Sequence, residues 1–145
     1  MIETVSFDGQ DYALILRTHY HAEGIQFFTP EHAAFQLGYM NRPKSHRITP
    51  HSHNPVRREI HETMEVLWIK SGKVRVDFYN EAQRYLQSRI LEQGDVVLLT
   101  FGSHGFEMLE ASEMIEVKQG PFVGVQDKTT FTPTLPETLD FGTPS

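Results

Sequence analysis

Four short groups of side chains in this 145-residue sequence carry chemistry: His51-Ser52-His53, Glu65, Gly102-Ser103-His104-Gly105, and Lys118 late in the chain. The chain has eight histidines and no cysteine, so a metal would be held by imidazole nitrogens and carboxylate oxygens. If His51 and His53 end a strand they share a face, about 6.6–7 Å apart along it, close enough to converge on one ion. Glu65 has the parity of Leu67 and Ile69, with Trp68 and Lys70 opposite. A carboxylate on an apolar face needs a partner or a metal, because burying it alone is too unfavourable. An arginine such as Arg89 would serve as that partner, and a solvated strand end would relieve the need. The glycines beside His104 permit close backbone approach or positive φ there; without a partner His104 is only a turn residue.

The elements that must position these groups read as strands. From about Phe35 to Gln119, short apolar runs alternate with glycine-bearing or charged turns, the pattern of an all-β sandwich or barrel. Met64 to Tyr79 reads as two strands around a tight hairpin at Lys70-Ser71-Gly72-Lys73. In its second half Val74, Val76 and Phe78 share one face, while Lys73, Arg75, Asp77 and Tyr79 share the other. Asn80 to Gln83 turns the chain, a strand follows over Tyr85–Leu91, and Glu92 to Asp95 turns it again into Val96–Leu99. A last strand over Met114–Gln119 is closed by Gly120-Pro121. Thr29-Pro30-Glu31 has the N-cap and first-turn proline of a short helix, and Phe35–Met40 fits a strand equally well. The domain reading is an N-terminal set of strands or arm over 1–34, a barrel over 35–128 and an extended tail over 129–145.

Composition narrows the function. Net charge is −6, with no basic patch to meet a phosphate backbone or an anionic bilayer, so neither nucleic acid nor membrane is an expected partner. The first residues show no basic region followed by an apolar run, and no stretch approaches the ~20 apolar residues of a membrane span. A cytoplasmic protein is the expectation.

The constellation resembles the cupin superfamily over roughly residues 35–120. The family's first motif, G(X)5HXH(X)3–4E(X)6G, is matched by His51, His53, Glu65 and Gly72, and its second, G(X)5PXG(X)2H(X)3N, by Gly94, Gly102 and His104. The chain departs from the pattern in several places. Eleven residues separate His53 from Glu65, Ser45 replaces the leading glycine, Thr100 the proline and Met108 the asparagine, and His104 comes one residue early. A long spacer can be a loop, because loop length is thermodynamically cheap. A rival register uses Glu59 and His61 ahead of Glu65 in place of the two histidines. His19-Tyr20-His21, His32 and His46 fall outside the pattern.

The resemblance implies a cupin-type double-stranded β-helix, a jelly-roll barrel, binding one divalent metal (Fe, Mn, Ni, Co or Zn) through His51, His53, Glu65 and His104. The strings His-Ser-His-Asn-Pro, Gly-Ser-His-Gly-Phe-Glu and Val-Lys-Gln-Gly-Pro further resemble small bacterial cupins associated with sugar pathways. A metal-dependent isomerase or epimerase acting on a sugar or similar hydroxy-carbonyl compound is thereby implied. A non-haem dioxygenase and a non-catalytic carbohydrate-binding module are the alternatives. Lys118 shares a face with Met114 and Glu116; if that face is inward, Lys118 binds an anion or acts as acid or base. Tyr39 is the second candidate catalytic group, Gln36 and Arg42 are candidate substrate contacts, and Asp127-Lys128 reads as a surface turn. Pairing through sheet edges and apolar faces makes a homodimer the expected assembly.

Overall fold

The computed structural model describes residues 1–143; Pro144 and Ser145, the end of the expected tail, lie outside the described residues. Ten strands form three antiparallel sheets. They are β1 (Ile2–Phe7), β2 (Gln10–Leu16), β3 (Gly24–Phe27), β4 (Gly38–Asn41), β5 (Glu65–Ser71), β6 (Lys73–Tyr79), β7 (Tyr85–Glu92), β8 (Val96–Leu99), β9 (Ser103–Met108) and β10 (Glu113–Lys118), followed by a short 3-10 turn, Gly124–Asp127. The chain divides into two compact units: Met1–Tyr20 with the chain from Thr63 onward, and His21–Glu62.

The first unit is a β-sandwich. One sheet has the order β1-β2-β8-β5-β10 and the other β7-β6-β9. Val5, Ala13, Ile15, Leu67, Ile69, Val97 and Leu99 of the first sheet meet Val74, Val76, Phe78 and Leu91 of the second in one core. Each of these side chains larger than Ala13 stabilises the fold by roughly 1.5–3 kcal/mol when fully buried. An exposed pair such as Lys70–Glu113 contributes at most about 1 kcal/mol, so the apolar faces hold the sheets together. The all-β expectation holds, but among the described residues no sheet closes into a barrel.

The expected hairpin at Lys70–Lys73 is instead a corner. β5 pairs with β8 and β10, whereas β6 pairs with β7 and β9, and only Gly72 lies between the two strands. At φ +89 it sends the chain from one sheet to the other. The alternation on β6 reads correctly on its core face, where Val74, Val76 and Phe78 are all but fully buried. The opposite face is not solvated: Asp77 and Tyr79 are buried too. Residues 129–143 contain no helix or strand and run along this side. Phe131 meets Tyr79 edge-on at 5.2 Å, the Ser88 amide donates to the Asp140 carbonyl at 2.7 Å, and the Tyr85 hydroxyl accepts from the Asp140 amide at 3.0 Å. Asp77 is compensated there by a two-toothed bond from Arg75 and by the Ser88 hydroxyl.

The second unit contains the β3–β4 ribbon and a stretch, residues 42–62, with no strand or helix. The helix expected at Thr29-Pro30-Glu31 does not form. Thr29 Oγ1 accepts from the Leu37 amide at 3.2 Å instead of capping a first turn, and the Gln36 amide donates to the Pro30 and Ala33 carbonyls. No amphipathic run follows that would offset the unfavourable nucleation of a helix.

Candidate functional site

Glu65 opens β5, so the seven residues of that strand span the interval from the carboxylate to the corner at Gly72. Strand parity turns Glu65, Leu67 and Ile69 to the core, and Leu67 and Ile69 are buried while Trp68 and Lys70 are exposed. His104 lies on β9 opposite Phe78 of β6 and so faces the same core from the other sheet. The two meet: His104 Nε2 stands 3.0 Å from Glu65 Oε2, with about a quarter or less of each side chain exposed. This contact joins the two sheets where the apolar core ends.

The His104 hydrogen bond holds the Glu65 carboxyl below the usual glutamate range, against the opposing effect of burial. Glu116 and Lys118 add to the same lowering. Both sit on β10, with Lys118 opposite Glu65 and Glu116 opposite Leu67. The face carrying Lys118 is therefore the inward one. Lys118 Nζ pairs with Asp127 Oδ2 at 3.1 Å and lies 5.7 Å from the centre of the Phe122 ring. Asp127 is not a solvated surface turn: only 13% of its side chain is exposed. That bond, together with the charges of Asp127, Glu116 and Glu65, raises the Lys118 pKa. A lysine so held stays an ammonium at neutral pH, which suits it to binding an anion and not to proton transfer.

His51 and His53 lie on the strandless stretch of the second unit, so they do not share a face by strand parity. Their rings are nevertheless neighbours, 5.3 Å between centres and nearly perpendicular. His51 Nδ1 stands 2.8 Å from the Thr49 carbonyl oxygen. That oxygen only accepts, so Nδ1 is the donor in this bond, which orients the ring. In the rival register His61 and Glu59 pair with each other at 3.2 Å, both about 80% exposed. Tyr39 is half-buried on β4 opposite Gln26, Gln36 spends its amide on its own loop, and Arg42 is exposed just past β4. Glu65, His104 and Lys118 thus share one end of the sandwich, and His51 and His53 stand beside each other in the second unit. The sequence reading placed Asp127 in a surface turn and missed its pairing with Lys118, nine residues away across a loop without periodicity.

Both pairs have the chemistry of metal donors: an imidazole and a carboxylate within hydrogen-bonding distance, and two neighbouring imidazoles of which one is held by a backbone carbonyl. Among the described residues no group of three or more such side chains stands together in a metal-holding arrangement. No helix of the described residues is long and apolar enough to cross a membrane. Neither the protein-family models, the curated proteins nor the solved structures contain a match to this chain.

Proposed function

We propose that this protein is a cupin-type jelly roll that binds one divalent metal and isomerises or epimerises a sugar or a similar hydroxy-carbonyl compound. The observation that carries the reading is the Glu65–His104 pair, two donors on different sheets turned inward to a common point. The sequence pattern adds His51 and His53 as the remaining ligands. Held by these residues, a divalent ion would supply Lewis-acid polarisation of a substrate carbonyl. Around it Lys118 supplies a fixed positive charge on the inner face. Mixed nitrogen and oxygen donors without thiolate suit Fe, Mn, Co, Ni or Zn.

Metal analysis of protein purified without a chelating tag tests this. One divalent ion per chain is expected in the wild type and in His61→Ala, with loss of stoichiometric metal in His51→Ala and His104→Ala. A wild type without stoichiometric metal, or retention in His104→Ala, would remove the reading. Oxygen uptake coupled to substrate loss would replace the isomerase by a dioxygenase.

A further inference from the structure

We propose that Lys118 is the binding residue for a carboxylate-bearing ligand, and that Asp127 occupies its place as a tethered internal carboxylate which the ligand displaces. Lys118 faces inward beside Glu65, and among the described residues its ion-pair partner is Asp127 at 3.1 Å. The segment that carries Asp127 has little else to hold it down. Phe122, Val123 and Val125 are 76%, 55% and 95% exposed, and the turn Gly124–Asp127 buries no residue and has no side-chain cap. At its start the chain is fastened by Gln119, whose amide donates to the Met64 carbonyl and whose side-chain oxygen accepts from the Met64 amide. Between that anchor and Phe131, which packs on Tyr79, the Lys118–Asp127 pair is the tie, so breaking it frees the intervening loop without opening the core.

Charge selects the ligand. Lys118 is matched by Asp127, while Glu65 beside it and the exposed Glu116 leave further negative charge on the same face. Exchanging Asp127 for a monocarboxylate leaves this balance unchanged. A dianionic phosphate would add a negative charge beside Glu65 and Glu116, which is unfavourable. The exchange is then decided by the contacts that the rest of the ligand makes along the inner face. Asp127 competes as a tethered group, so a free carboxylate binds with its intrinsic affinity multiplied by the fraction of molecules in which the pair is open. The proposal needs neither metal nor turnover.

The test is acetate titration at constant ionic strength, followed by NMR at the amides of Gly120 and Gly124, with chloride as the balancing anion. Asp127→Asn is expected to tighten acetate binding roughly three- to tenfold over wild type. Lys118→Met is expected to abolish binding and Lys118→Arg to restore it, so that loss of charge and loss of fold are told apart. Unchanged affinity in Asp127→Asn, shifts that persist in Lys118→Met, absence of binding in both wild type and Asp127→Asn, or tighter binding of inorganic phosphate would each overturn the assignment. Metal content measured on the same samples separates failure here from failure of the metal site, since Lys118→Met leaves Glu65, His104, His51 and His53 intact.

Discussion

Replacing Gly72 by alanine is expected to destabilise the protein by about 3 kcal/mol or more, a large share of the roughly 5–15 kcal/mol that holds a small domain folded. Gly72 alone connects β5 to β6, and at φ +89 an L-residue pays about 1–2 kcal/mol for the backbone conformation. Space adds the rest. A Cβ there would run into the Ser112 side chain and sit 2.5 Å from the Ala111 carbonyl oxygen. Ser112 cannot swing aside without loss: its hydroxyl accepts from the Lys73 amide at 3.1 Å and donates to the Glu110 carbonyl at 2.9 Å. The same corner receives the Leu109 amide on the Lys73 carbonyl, so relief of the clash would pull at both sheets. Gly9 is the control. It also has positive φ, at +75, but nothing within 4 Å of an added Cβ, so Gly9→Ala should lose only the backbone part. Urea unfolding of both variants decides the matter, and a Gly72→Ala midpoint no lower than that of Gly9→Ala would show that the corner tolerates a side chain.

That corner also marks how far the sequence could be read. Alternation over Met64–Tyr79 identifies two strands and assigns Glu65, Leu67, Val74, Val76 and Phe78 to an inner face, because period-2 parity is a local property. It does not identify the partners of those strands. A glycine between two apolar runs serves a hairpin or a change of sheet equally, and the choice depends on β8, β9 and β10, far along the chain. The candidate site divides along the same line. Glu65 was legible from its parity and from the strand length that separates it from Gly72. His104 was legible from its glycines, but its contact with Glu65 is a meeting of two sheets that no local pattern records. The direction of Lys118 followed only from the register of β10 on β5. For His51 and His53 the strand premise was wrong because residues 42–62 lack the alternation a strand needs, yet the neighbouring rings arise from the short spacing itself.

Arg17→Met is expected to destabilise the sandwich by about 3 kcal/mol, through the carboxylates it leaves behind. Arg17 follows β2, with only 16% of its side chain exposed. Its Nε donates to Glu3 at 2.8 Å, and its Nη1 donates to Asp95 at 2.8 Å and to the Ile90 carbonyl at 2.7 Å. Burial opposes the charged guanidinium, but the bonds and charges of Glu3 and Asp95 outweigh it and raise the pKa. Glu3 and Asp95 are themselves buried. The two carboxylates differ in what remains without Arg17. Asp95 keeps the Thr18 and Glu92 amides, at 2.8 and 2.9 Å, whereas Glu3 keeps a longer contact to Arg89 at 3.5 Å. Much of the loss should therefore lie with Glu3, and the double variant Glu3→Leu/Arg17→Met should recover about 1 kcal/mol or more of it. A double-mutant cycle by urea unfolding measures this coupling directly. If Arg17→Met stays within about 0.5 kcal/mol of wild type, the network is not what fixes β1 and the β7–β8 turn to the end of β2. If the single loss is large and the double variant recovers nothing, the lost bond to the Ile90 carbonyl carries the effect, and the stranded carboxylate does not.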